Sequence, residues 1–132
     1  MNVLYWNCMG LGNPPTQRAL YNFCSSLKPS FLCIAKPKVS FQFIHHSFWR
    51  SLNLSFVAST STLLPNLWIL VSNDIGAGNV SIFSSSTQHI TVQCSLPSHT
   101  QFITCVYGNV LASVRRHLWT ELEFISSLIL DS

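Results

Sequence analysis

The sequence predicts a single α/β domain, on three observations. Within the first 36 residues an apolar run, a polar turn, an amphipathic stretch and a second apolar run follow one another, the strand, helix, strand order of an α/β layer. From Leu54 to Tyr107 the chain breaks into five short runs of strand character separated by turn residues. From Ala112 to Leu130 apolar residues then recur at helical spacing.

Val3 to Trp6 reads as a buried strand, closed by the polar and glycine-bearing stretch Asn7 to Asn13. Asn13-Pro14-Pro15 looks like a helix start, because Asn is a good N-cap and Pro is tolerated in the first turn. The helix is expected to run to about Leu27, with Leu20, Phe23, Cys24 and Leu27 on one apolar face. Lys28-Pro29 stops it, and Phe31 to Ala35 is suited to a strand covered on both faces.

Phe41 to Leu52 is expected to form a short helix. Strands are then expected over Leu54 to Ala58, Leu67 to Ser72, Val80 to Phe83, His89 to Leu96 and Gln101 to Tyr107. In His89 to Leu96 the apolar Ile90, Val92, Cys94 and Leu96 alternate with Thr91, Gln93 and Ser95, which predicts one wet face. In the last helix Val114, Leu118, Leu122, Ile125 and Ile129 form a core-facing stripe.

Composition limits the function classes. The 132 residues hold 7 Lys+Arg and 4 Asp+Glu, so charged side chains make up 8% against the usual ~25%. With 48% apolar residues and a mean hydropathy of +0.33, intrinsic disorder is excluded. A spanning helix needs roughly 20 predominantly apolar residues. The uncharged stretch from Ser51 to Asn73 is too interrupted by Asn, Ser, Thr and Pro to supply one. Met1 to Leu11 lacks the basic start of a secretory signal. The expectation is a protein made in the cytosol, neither secreted nor in a membrane, and residing in cytoplasm or nucleus. A net charge of +3 and a pI near 8.7 permit an anionic partner without demonstrating one.

Few residues carry chemistry. The five cysteines, Cys8, Cys24, Cys33, Cys94 and Cys105, include no C-x-x-C pair and are expected to be free, mostly buried thiols. Glu121 and Glu123 point about 200° apart on a helix and cannot converge on one proton or ion. The side chains of His45 and His46 are expected to diverge, and neither this pair nor Cys94 with His99 has a zinc-ligand spacing. Gly10-Leu11-Gly12 lacks the third glycine of a phosphate-cradling loop and reads as a turn. Arg115-Arg116 could contact phosphate, although a solvated face is the plainer reading. Arg18, Lys28, Lys36, Lys38 and Arg50 are scattered, so only the fold could gather them.

Val3-Leu4-Tyr5-Trp6-Asn7 followed by Cys8-Met9-Gly10-Leu11-Gly12-Asn13-Pro14 resembles the first motif of the endonuclease/exonuclease/phosphatase family. It is most similar to endonuclease domains of non-LTR retrotransposons abundant in plant genomes, with Met9 at the usual Arg position. Phe31 to Lys38 resembles the second strand and its motif. Leu67 to Val71 resembles the strand before a β-meander, and Phe102 to Gly108 resembles the strand ending in a Tyr-Gly turn. Arg115, Leu118, Trp119 and Leu122 match the pattern Arg-x-x-Leu-Trp-x-x-Leu.

The resemblance implies that residues 1–132 form a single partial domain, the N-terminal half to two-thirds of an α/β sandwich of that family. Family members hydrolyse phosphodiester or phosphomonoester bonds with a divalent metal, usually magnesium, held by a carboxylate of the second motif. Here Lys36 stands at that position. An ammonium offers only donors and repels a cation. Asn7 is the retained metal and phosphate position and Tyr107 the phosphate position, or else Asn7 satisfies a strand end and Tyr107 belongs to the core. The family's Gly-Asp-x-Asn and Ser-Asp-His motifs would follow the last helix, and the chain ends at Ser132 before them.

The implied function is a remnant of a nucleic-acid phosphodiesterase that acts on DNA in its intact form, here expected to be inactive and to hold no cofactor. Arg115 and Arg116 are the candidate nucleic-acid contacts, and uncovered apolar surface is expected to favour self-association. The alternatives are a non-catalytic binding module and an exon fragment of a longer active endonuclease.

Overall fold

The structure is a computed structural model that describes residues 1–60, 65–108 and 111–130. Its elements follow the order β1 (Val3–Asn7), α1 (Pro14–Leu27), β2 (Phe31–Ala35), α2 (His46–Ser51), β3 (Leu54–Ser59), β4 (Leu67–Ser72), β5 (Val80–Ser85), β6 (His89–Ser95), β7 (Thr100–Val106) and α3 (Ala112–Leu130). The strands form two sheets, one ordered β1-β2-β4-β3 and the other β5-β6-β7. β1 and β2 are parallel and joined through α1, as parallel neighbours require a crossover. β2 with β4, β3 with β4, and the three strands of the second sheet pair antiparallel.

The period-two direction of strand side chains divides the interior into two cores. Leu32 and Ile34 of β2 and Trp68 and Leu70 of β4 face the helical side, packing with Leu20 and Cys24 of α1 and Trp49 of α2. Phe31, Cys33, Leu67, Ile69 and Val71 point the other way, onto Ile90, Val92 and Cys94 of β6. β2 and β4 are therefore buried on both faces, as an unbroken apolar run predicts. On the far side of the second sheet, Leu118 and Ile125 of α3 are buried. Leu122, Ile125 and Ile129 share a small cavity with Thr104 of β7. The layers thus run helix, sheet, sheet, helix. Among the described residues no helix is long and apolar enough to cross a membrane.

The ends of α1 follow local chemistry. Asn13 caps it, its side-chain oxygen accepting from the Thr16 amide at 2.9 Å, and Lys28 closes it in a left-handed conformation. Burial pushes the Cys24 thiol on this helix up to about 11, so it stays protonated at neutral pH.

Several expectations are corrected. Only Leu20 and Cys24 of the α1 stripe are buried, while Phe23 and Leu27 are exposed, Phe23 meeting Trp6 edge-on at its margin. The helix expected over Phe41 to Leu52 is split into a 3-10 turn, Phe41–Phe43, and α2. The break comes from His45, extended at φ −61°, ψ 140°, whose Nδ1 caps α2 by accepting from the Ser47 amide at 3.2 Å. His45 and His46 do not diverge, their ring centroids being 4.1 Å apart. The wet face expected on β6 is dry at Thr91, which is buried and hydrogen-bonded to Thr104 Oγ1 at 2.8 Å under the α3 layer.

The cysteines are not all free. Cys33 and Cys105 are joined as a disulfide across the inter-sheet core, with Cα atoms 6.4 Å apart, because the register turns both inward. Cys8, Cys24 and Cys94 remain free and buried.

Candidate functional site

Parallel β1 and β2 end side by side, Asn7 in register with Ala35, and the two loops that follow are tied together by their backbones. Amides of the first loop donate to carbonyls of the second: Cys8 N to Ala35 O at 3.0 Å, Gly10 N to Lys36 O at 2.8 Å, Leu11 N to Pro37 O at 2.8 Å. The Gly10 and Leu11 amides are thus occupied rather than open to a phosphate, and the chain bends at Leu11 and Gly12 without closing a hydrogen-bonded turn of its own. Backbone strain gathers here as well. Met9 (φ 53°), Lys36 (φ 55°) and Lys38 (φ 60°) are left-handed without being glycine, a costly conformation for such side chains.

The second sheet closes on this end through β7. The Tyr5 hydroxyl of β1 donates to the Val106 carbonyl at 3.0 Å. Burial raises the Tyr5 pKa, with a smaller contribution from Tyr107. Tyr107 is half-buried and its amide donates to Gln88 O at 2.8 Å. Half-buried Lys36 places Nζ 5.4 Å from the centre of the Tyr107 ring, a cation–π distance.

Asn7, Lys36 and Tyr107 are thereby brought to one end of the sheets. Lys38 lies exposed in the same loop, its Cδ 3.7 Å from where a Cβ on Gly10 would stand. The arginines separate. Arg115 is half-buried, with Cδ 3.3 Å from a Cβ built on Gly108, while Arg116 is exposed. Arg115 thus lies against Gly108, next to Tyr107, whereas Arg18 and Arg50 are exposed on α1 and α2.

The carboxylates stand elsewhere. Asp74, just past β4, accepts from Asn53 Nδ2 at 3.4 Å and shares a pocket with Lys28, at the opposite end of the sheet. Glu121 faces the second sheet and lies 3.0 Å from His89 Nδ1, while Glu123 is exposed, so the two acids diverge as their spacing predicts. Cys94 is in the inter-sheet core and His99 on the surface, too different in burial to share a metal.

The structure matches known ones at low identity and high coverage. The endonuclease domain of TRAS1, a telomere-specific non-LTR retrotransposon, superposes over 96% of this chain with a TM-score of 0.68 at 13% identity. TDP2 from C. elegans superposes over 98% with a TM-score of 0.64 at 14% identity, and a humanized D. rerio TDP2 over 98% with a TM-score of 0.63 at 11% identity. Both kinds of neighbour have the same fold. The chain has the endonuclease/exonuclease/phosphatase fold. It spans 52%, 42% and 56% of those three structures respectively, about half of their length. No protein-family model matches the sequence, and no curated protein does.

Nucleases with the endonuclease/exonuclease/phosphatase fold are typically metal-dependent. The donors at this end do not fit a divalent cation, which takes oxygen ligands. Lys36 presents an ammonium where the strands converge, and among the described residues no three His, Cys, Asp or Glu side chains gather into a metal-sized group.

One cluster has no sequence signal. Buried His89 meets Ser86 Oγ at 2.8 Å and Glu121 Oε2 at 3.0 Å through Nδ1, and Ser84 Oγ at 3.2 Å through Nε2. Its partners come from β5, the turn after it and α3, with no fixed spacing to reveal them.

Proposed function

We propose that this chain is a catalytically inactive, retroelement-derived member of the metal-dependent nucleic-acid phosphodiesterases, retaining their phosphate-facing strand ends without their metal carboxylate. The observation that carries this reading is the Lys36 ammonium over the Tyr107 ring, where the family resemblance calls for a carboxylate. By the same resemblance Asn7 is a metal and phosphate position and Tyr107 a phosphate position. A fixed positive charge there opposes a divalent ion, and without the ion the attacking water is not activated. The fold shared with an endonuclease domain supports nucleic acid as the ancestral substrate. Purified protein should leave supercoiled plasmid intact in the presence of magnesium or manganese. Metal-dependent nicking that disappears in Asn7→Ala overturns the reading.

A second reading, a non-catalytic module that binds protein through a sheet edge, is favoured by β1. Among the described residues its outer edge has no strand partner, and Val3 and Tyr5 are 49% and 46% exposed. A discrete dimer in size-exclusion chromatography supports this module and the expected self-association; a monomer at all concentrations counts against both.

A further inference from the structure

We infer that the outer edge of β1 pairs antiparallel with β1 of a second copy of this chain, about a two-fold axis at Tyr5, joining two four-stranded sheets into one. The inference rests on the sheet-edge reading above and names its partner.

Among the described residues the edge strands are β1 and β3 in one sheet and β5 and β7 in the other. The other three are blunted. β3 breaks register between Phe56 and Ala58, and β5 between Ile82 and Ser84, irregularities of the kind that turn an edge away from pairing. On β7 the Tyr107 amide donates to Gln88 O, so the carbonyl of Val106 faces outward, and the Tyr5 hydroxyl occupies it at 3.0 Å. β1 has none of these devices. It keeps unbroken register with β2 from Val3 to Asn7 and contains no charged residue and no proline.

The edge is also ready to pair. At one end of β1 the Phe31 amide donates to Asn2 O at 3.2 Å, and at the other the Cys8 amide donates to Ala35 O at 3.0 Å. Even-numbered residues therefore turn their backbone to β2, and Val3, Tyr5 and Asn7 turn their N–H and C=O groups to the open side. The start of the strand is held in place, because the Asn2 side chain accepts from the Ser30 amide at 2.8 Å and donates to Leu27 O at 2.9 Å. Little backbone has to be ordered when a partner arrives.

Symmetry and charge select a second copy. The outward residues are evenly spaced about Tyr5, so an antiparallel two-fold sets Tyr5 against Tyr5, and Val3 of each copy against Asn7 of the other, each outward N–H meeting a carbonyl. The chain carries a net charge of +3, so two copies repel where lysines or arginines face one another, and β1 presents none. The Tyr5 ring, pinned through its bond to Val106 O, supplies a fixed aromatic pair on the axis. Pairing covers the edge of β1 and not its face, so Val3 still meets solvent above the sheet.

The test is sedimentation equilibrium of the full chain over a concentration series, with a discrete monomer–dimer equilibrium expected. Val3→Pro deletes an outward N–H without touching the β2 ladder, and should raise the dimer dissociation constant about tenfold or more while the monomer keeps its unfolding temperature. Tyr5→Lys sets like charges against each other on the axis and should weaken the dimer as much, whereas Ser81→Lys on bulged β5 should stay within about twofold. Tyr5→Cys should form an inter-chain disulfide with oxidised glutathione, because the axis brings the two Cα atoms to roughly 5.5 Å. The unsubstituted chain, whose free cysteines are buried, should not. A dimer weakened by neither Val3→Pro nor Tyr5→Lys, or a Tyr5→Cys dimer that does not cross-link, overturns the β1 pairing alone. A monomer at every concentration overturns the sheet-edge reading with it.

Discussion

Strands β1 and β2 lie side by side, in register and parallel, and both are mostly apolar runs, yet their fates differ. Every residue of β2 is buried, whereas β1 alternates between exposed and half-buried. Across the register, Val3 is 49% exposed beside Phe31 at 0%, and Tyr5 is 46% exposed beside Cys33 at 1%. Residue chemistry does not explain the difference. β2 has β4 on its far side and β6 above it, while β1 ends the sheet and has neither. An apolar run marks surface that can be buried, and neighbours decide whether it is.

This contrast is open to measurement by urea denaturation. Ile69→Ala, in the inter-sheet core between β2 and β6, should cost about 3 kcal/mol, because the rigid surroundings cannot close the cavity. His89→Ala should cost about 2 kcal/mol, since it strips Ser84, Ser86 and Glu121 of a shared partner, although Glu121 can regain water. Val3→Ala, on the open face of β1, should stay within about 0.5 kcal/mol. Equal losses for Ile69→Ala and Val3→Ala would mean that β1 is covered in solution, and the contrast would fail. A loss at His89 as small as that at Val3 would mean the cluster does not hold α3 to the second sheet.

How much was legible in the sequence follows the same division. The limits of β2, β4 and α3 were readable because each is a strong apolar pattern between clear stops, such as Lys28-Pro29 before Phe31. The split at His45 was not, because a histidine is an uncommon cap and the apolar residues around it keep a helical rhythm. The burial of Thr91 was hidden because it depends on α3 arriving over a face that strand periodicity marks as polar. The Cys33–Cys105 link depends on how two sheets stack, which spacing does not encode. At the candidate site, Asn7, Lys36 and Tyr107 were picked out by resemblance, but that Lys36 lies over Tyr107 required the fold. In sequence Lys38 is one of several scattered basic residues, and only the paired loops bring it beside Gly10.

Those paired loops have a consequence for recognition. Their cross-loop hydrogen bonds hold the backbone before any ligand arrives, so little of it has to be ordered on encounter. A substitution that removes one of these bonds therefore loosens both strand ends together.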